Sequence, residues 1–147
     1  MPLVYLDNCA LQRPLDDRTQ FRVLVEAEAI EAVLREIQKG TVELLNSDVL
    51  IAESRAAPDP TRCDFAAETL ALASSTVQLT PNVEDRARPF RSAGMKAVDA
   101  LHLASAVEGG VDFFCTTDDR FFRKAEAANT SGVRVVVPSD LAVALGL

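Results

Sequence analysis

The chain's 147 residues, 48% of them hydrophobic, suit one domain with an ordinary buried core, and nothing points to a second. Fifteen Lys and Arg against 22 Asp and Glu give a formal net charge of -7, which argues against a protein that simply coats nucleic acid by charge. No apolar run approaches the ~20 residues that span a bilayer, and the N-terminus reaches Asp7 too early for a secretory signal, so a cytoplasmic location is expected.

Along the chain, strand-like apolar runs alternate with longer helical patterns. A strand is expected at 2–6 and a helix at 19–39. A second strand follows at 42–46, then helical stretches to about 107 interrupted by Val77-Gln78-Leu79. A strand at 111–116, a short helix and a last strand at 133–137 complete the pattern. The alternation predicts an α/β domain built on a mainly parallel, buried sheet. In the first long helix Leu24, Ala27, Ile30, Leu34 and Ile37 recur at spacings of three and four, and Gly40 supplies a stop. Glu26, Glu28, Glu31, Arg35 and Lys39 are expected on its solvated face, supported by i,i+4 partners such as Arg22 and Glu26. Pro58-Asp59-Pro60, Pro81-Asn82 and Gly109-Gly110 mark turns. Cys9, Cys63 and Cys115 are odd in number and widely scattered, which predicts reduced, partly buried thiols and neither a zinc site nor a disulfide framework.

Four acids stand out by position. Asp7 follows Leu3-Val4-Tyr5-Leu6, Glu53 closes Val49-Leu50-Ile51-Ala52, Asp99 opens Asp99-Ala100-Leu101-His102-Leu103-Ala104, and Asp118 follows the run from Val111 to Thr117. In an open parallel sheet, ligands gather beyond the carboxyl ends of the strands, and all four acids belong at that end. Each taken alone has an ordinary explanation as a cap, a turn residue or a surface acid. Together they are unfavourable unless a cation neutralises them, and a chain with one histidine and no metal-type cysteine pair points to a hard divalent ion held by oxygen alone. Where Thr116-Thr117-Asp118-Asp119 meets an apolar helix, Asp118 is the expected ligand and Asp119 the cap or outer partner. His102 is expected to be a satisfied helix histidine rather than a catalytic one. Arg86, Arg88, Arg91 and Lys96 before Asp99, with Arg120, Arg123 and Lys124 after Asp118, suit phosphate positioning or, equally, solvated helix faces.

The run Tyr5-Leu6-Asp7-Asn8-Cys9, the stretch from Ser47 to Glu53, the Asp99 to Ala104 run and Thr116-Thr117-Asp118-Asp119, in that order, resemble the PIN-domain nucleases and within them VapC-type toxins. The resemblance spans nearly the whole chain. It implies a compact three-layer α/β/α sandwich and a Mg²⁺- or Mn²⁺-dependent ribonuclease. It also implies an acidic site of Asp7, Glu53, Asp99 and Asp118, in which Asp7, Asp99 and Asp118 bind metal and Glu53 completes the set. Asn8, Ser47, Thr116 and Thr117 then correspond to groups that orient the carboxylates or metal-bound water. The partners expected are an RNA substrate, an antitoxin protein and a second copy of the chain in a homodimer. The Arg13-Pro14-Leu15-Asp16-Asp17 segment and the acidic net charge depart from the family pattern and bear on target choice. A PIN-fold module that binds without cutting is the competing class, and a hydrolase of small phosphate esters is a third.

Overall fold

The computed structural model describes all 147 residues. Its strands are β1 (Leu3–Leu6), β2 (Glu43–Ser47), β3 (Ser75–Val77), β4 (Phe113–Cys115) and β5 (Arg134–Val136). The helices are α1 (Asn8–Gln12), α2 (Phe21–Lys39), α3 (Asp48–Arg55), α4 (Pro60–Leu70), α5 (Pro81–Ser92), α6 (Ala97–Glu108), α7 (Asp119–Ala127) and α8 (Pro138–Ala144), with a 3₁₀ turn at Arg13–Leu15. The five strands form one sheet in the order β3-β2-β1-β4-β5, and every pair is parallel. Helices cover it to give the three-layer α/β/α sandwich. No helix is long and apolar enough to cross a membrane.

Parallel strands must be buried on both faces, which explains why the central ones are the most continuous apolar runs. Val4, Tyr5 and Leu6 of β1 are wholly buried, as are Leu44 of β2 and Phe114 of β4. Tyr5 lies opposite Phe114 in register, and their rings stack at 5.3 Å with 11° between planes. Phe121 of α7 meets the other side of Phe114 edge-on at 5.5 Å, which anchors α7 to the centre of the sheet. The edge strand β3 carries only Ser75, Thr76 and Val77, none of them fully buried, and begins two residues before the Val77-Gln78-Leu79 interruption read from the sequence.

Helix α2 starts at Phe21 and ends as expected at Gly40, whose φ of 80° is the left-handed stop that glycine accommodates. Its buried stripe differs from the expected one. Glu26 and Val33 are buried, whereas Leu24 and Leu34 are only partly so. The reason is the Arg13–Leu15 turn, which packs on α2 and covers Glu26. Burial of that carboxylate is offset by Arg13, whose Nε and Nη2 donate to Glu26 Oε1 at 3.1 and 2.7 Å. Glu26 therefore belongs to an interior charge network, not to a solvated face. The expected Arg22–Glu26 pair is present at 3.4 Å, and Glu31 makes a separate, exposed pair with Arg18 at 2.7 Å.

At the far end of α6, Gly109 lies against Leu45 of β2 and Val77 of β3, and a Cβ there would run into Leu45 Cδ2. Leu45 is buried and has little room to retreat. Gly109→Ala should therefore destabilise the fold by about 1–3 kcal/mol, read as a lower urea midpoint, through overpacking rather than backbone strain. Gly110→Ala, with open space around its Cβ but a φ of 67°, should show backbone strain without overpacking, so smaller residues at Leu45 should rescue only the Gly109 variant.

Candidate functional site

The strand order reverses direction at the centre, where β1 pairs on one side with β2 and on the other with β4. Loops leaving adjacent strands in opposite directions open a crevice at their carboxyl ends. Asp7 stands directly after β1 and Asp118 follows β4 by way of Thr116 and Thr117. Strand β2 runs into α3 without a loop, bringing Glu53 round within two turns. Helix α6 leads back toward the start of β4, so Asp99 in its first turn lies at the carboxyl end of the sheet. All four line one pocket of about 380 Å³, together with Asn8, Cys9 and four further residues.

Each carboxylate is held differently. Asp7 is 5% exposed and caps α1, with Oδ1 accepting from the Ala10 amide at 3.0 Å and from the Cys9 thiol at 3.0 Å. Desolvation raises its pKa, opposed by hydrogen bonds from Cys9, Thr116 and the Ala10 amide. The same carboxylate and desolvation push the Cys9 thiol up to about 12, so Cys9 remains an S–H donor. Asp118 caps α7 through Oδ1, which accepts from Arg120 and Phe121 amides at 3.0 and 3.1 Å. Its own amide donates to Thr116 Oγ1 at 3.1 Å, tying the end of β4 into the cap. Asp99 has no hydrogen-bond partner and does not cap α6. Burial first, then the charges of Asp7 and Asp118, raise its pKa.

Glu53 is positioned from beneath by a buried chain of hydrogen bonds. The Leu50 amide donates to Ser47 Oγ at 3.0 Å, Ser47 meets Tyr5 Oη at 2.7 Å, Tyr5 meets His102 Nδ1 at 2.6 Å, and His102 Nε2 meets Glu53 Oε1 at 2.9 Å. An ionised Glu53 can only accept, so Nε2 carries the proton and Nδ1 accepts from Tyr5, whose phenol burial keeps protonated. His102, 1% exposed, thus orients a pocket acid without entering the pocket. It is the satisfied histidine expected from the sequence. Its partner Tyr5 was legible as part of an apolar strand and of the first signature, without a role of its own.

Other residues fall where the sequence did not place them. Asp118, not Asp119, caps α7. Asp119 turns away from the pocket, and Arg22 reaches it in a two-pronged contact at 2.8 and 2.8 Å. Arg22 Nη2 also donates to the Thr117 carbonyl at 3.1 Å, which accounts for Thr117 as a backbone anchor. Cys63 is half-buried and Cys115 buried, as expected, but Cys9 is an exposed residue with an inward-turned thiol. None of the seven basic residues flanking Asp99 and Asp118 lines the pocket. Arg86 pairs with Glu108 and Arg88 with Asp85, while Lys124 donates to the Gly94 carbonyl. The pocket's one cation is Arg62 of α4, accompanied by Gln12 and Asp16, three residues that no local motif marks. Burial opposes ionisation of Asp16, yet Arg13 and Arg62 outweigh it and hold the carboxyl below its usual range.

The donor set fits a hard divalent cation. It is made of oxygen, Glu53 and Asp118 each engage one carboxylate oxygen and leave the other free, and Asp99 has both free. Asn8 Oδ1 and Gln12 Oε1, which belong to residues of the same pocket wall, are buried acceptors without a partner. The carboxylates are nevertheless spread around the pocket, and no three acids, histidines or cysteines are drawn together closely enough to hold an ion. Mutual repulsion gives a physical reason for that spacing.

Because the folded-state pKa of Asp7 is raised, ionising it costs stability, and the cost grows from the ordinary carboxylate range up to the raised value and is constant above it. Asp7→Asn keeps the Oδ1 cap while removing the charge. In chelator it should melt higher than the wild type at neutral pH, and the advantage should vanish below about pH 4. Thermal melts across that range check both the sign and the window.

A model of the PIN domain matches residues 4–127. The fold is similar to a chain of the crystal structure of VapBC2 from Rickettsia felis bound to a DNA fragment from their promoter, at a TM-score of 0.62 and 10% identity, covering 92% of this chain and 98% of that one. Comparison with curated proteins finds no match. The pocket at the switch point of a 3-2-1-4-5 parallel sheet and a family match over most of its length establish that the chain belongs to the PIN-domain family, whose members are generally nucleases that use divalent metal ions.

Proposed function

We propose that the protein is a metal-dependent endoribonuclease and the toxin of a toxin-antitoxin pair, working in the cytoplasm as a homodimer and held in check by an antitoxin protein. The observation that carries the chemistry is the meeting of Asp7, Glu53, Asp99 and Asp118, from four separate parts of the chain, around one pocket with free carboxylate oxygens. The toxin role is supported by the shared fold with a VapBC2 chain.

Asp7, Asp99 and Asp118 would hold Mg²⁺ or Mn²⁺, with Glu53 completing the set. The bound ion would supply a water of lowered pKa and charge stabilisation for the leaving oxygen of a phosphodiester. The chain's own part is positioning. Caps fix Asp7 and Asp118 through backbone amides, so these two carboxylates are aimed by the starts of α1 and α7. The Ser47, Tyr5 and His102 chain fixes Glu53 while leaving its second oxygen available to accept a proton from the attacking water. Asn8 Oδ1 would orient a metal-bound water. No protein nucleophile is needed, which suits a pocket whose only thiol is held protonated.

Purified protein should cleave single-stranded RNA in millimolar Mn²⁺ or Mg²⁺ and lose that activity in chelator. Asp7→Asn should reduce cleavage at least about a hundredfold, more than the 10–100-fold cost of losing an outer-shell partner, while remaining folded. Binding of RNA without cleavage in either metal would instead favour the non-cleaving module. Cleavage in chelator would overturn the metal mechanism.

A further inference from the structure

The segment Arg13-Pro14-Leu15-Asp16-Asp17 has a structural role that the acidic site does not explain. Its 3₁₀ turn brings Asp16 to the pocket wall, where Asp16 Oδ1 accepts from Arg62 Nη2 at 2.7 Å. The carbonyls of Gln12 and Leu15 steady the same guanidinium at 3.5 and 3.4 Å. Gln12 Nε2 returns a hydrogen bond to the Arg62 carbonyl at 3.1 Å, so the start of α4 is tied to α1 in both directions. Arg62 Nε has no partner, and the side chain is about one-third exposed.

This arginine is the only cation in a pocket wall that also contains five carboxylates. Asp7, Asp99 and Asp118 lack a cationic partner in the structure, Glu53 meets only the His102 ring, and Asp16 is shared between Arg13 and Arg62. Because Arg13 independently neutralises Asp16 through Oδ2 at 2.9 Å, Arg62 can give part of its hydrogen bonding to another anion without leaving Asp16 unpaired. A guanidinium held by its Nη groups, with Nε free, is preorganised to meet a phosphate oxygen. Its place in the first turn of α4 adds the favourable end of the helix dipole.

We infer that Arg62, held in place by Asp16, binds a backbone phosphate of the RNA next to the scissile bond and is the residue that positions the strand over the acids. The inference rests on the ribonuclease reading. It gives the departure at residues 13–17 a purpose: that segment builds the arm that holds the phosphate clamp.

The test uses a fluorescently labelled single-stranded RNA oligonucleotide. Binding is read by anisotropy in Ca²⁺ over a range of salt concentrations, and cleavage in Mn²⁺ is resolved into KM and kcat. Arg62→Met should weaken binding about tenfold, the order expected for one charge-assisted hydrogen bond. The slope of log Kd against log salt should fall by about 0.7, one phosphate contact on a single strand. KM should rise in proportion while kcat stays near wild type. Arg62→Lys should keep the wild-type salt slope and recover part of the affinity. Asp16→Asn loosens the hold on the guanidinium yet keeps its charge, so it should weaken binding less than Arg62→Met does and leave the salt slope unchanged. If Arg62→Met shows the wild-type affinity and slope, or if Asp16→Asn weakens binding as much as Arg62→Met does, the clamp is wrong and Arg62 only bridges α4 to the turn. If the wild type neither binds nor cleaves RNA, the ribonuclease reading falls and the clamp with it. Thermal melts of each variant guard against loss of fold, and Arg62→Lys carries the test if Arg62→Met proves unstable.

Discussion

Like charges set the terms at the carboxyl end of this sheet. Asp7, Glu53, Asp99 and Asp118 face a common pocket, and the protein holds two of them with neutral donors, backbone amides for Asp7 and Asp118 and a thiol for Asp7, while His102 Nε2 fixes Glu53. Neutral donors fix a carboxylate's position without cancelling its charge. The repulsion therefore persists at Asp99, which has no donor at all and whose pKa is raised first by burial and then by the charges of Asp7 and Asp118. A pocket organised in this way keeps its negative field for whatever cation enters.

A few ångströms of chain away, the opposite solution prevails. Arg13, Asp16, Arg22, Glu26, Arg62 and Asp119 form a continuous run of ion pairs linking the Arg13–Leu15 turn to α2, α4 and α7. Its acids are neutralised by guanidinium groups, so their charges stabilise the local packing instead of adding to the pocket's field. The two networks meet only at Arg62 and Asp16. Of the helices beside the pocket acids, α7 is braced by Arg22 through Asp119 and the end of α1 by Arg62 through the Gln12 carbonyl, and of these arginines only Arg62 lines the site.

Much of this was legible in the sequence, and the reasons differ by element. The central strands showed as apolar runs because parallel sheets bury both faces, and the four acids that line one pocket stood out because strand ends and helix starts carry position in their local pattern. The five-residue α1 was too short to leave a periodicity, and β3 was blurred because an edge strand needs few apolar residues. Glu26 looked solvated because the turn that buries it lies outside its own helix. Gln12 and Arg62 gave no signal because each acts through a partner far along the chain, and Tyr5 and Asp16 stood in marked segments whose pattern did not show what they bond to. Of the two readings open for the basic residues near Asp99 and Asp118, the structure favours helix faces with ordinary ion pairs, because closeness in sequence to an acid does not aim a flexible side chain at it.

The pairing of β1 with β4 has a consequence for how the molecule comes into being. Leu6 meets Cys115 across more than a hundred intervening positions, and the Asp7 amide donates to the Cys115 carbonyl at 3.1 Å. Closing so large a loop is entropically costly and slow relative to forming the helices between. Every form of the chain in which β4 has not yet docked has Asp7 and Asp118 apart, so the acidic pocket is among the last features to be completed. During synthesis, the growing polypeptide cannot possess the site until Asp118 has followed the other three acids out of the ribosome.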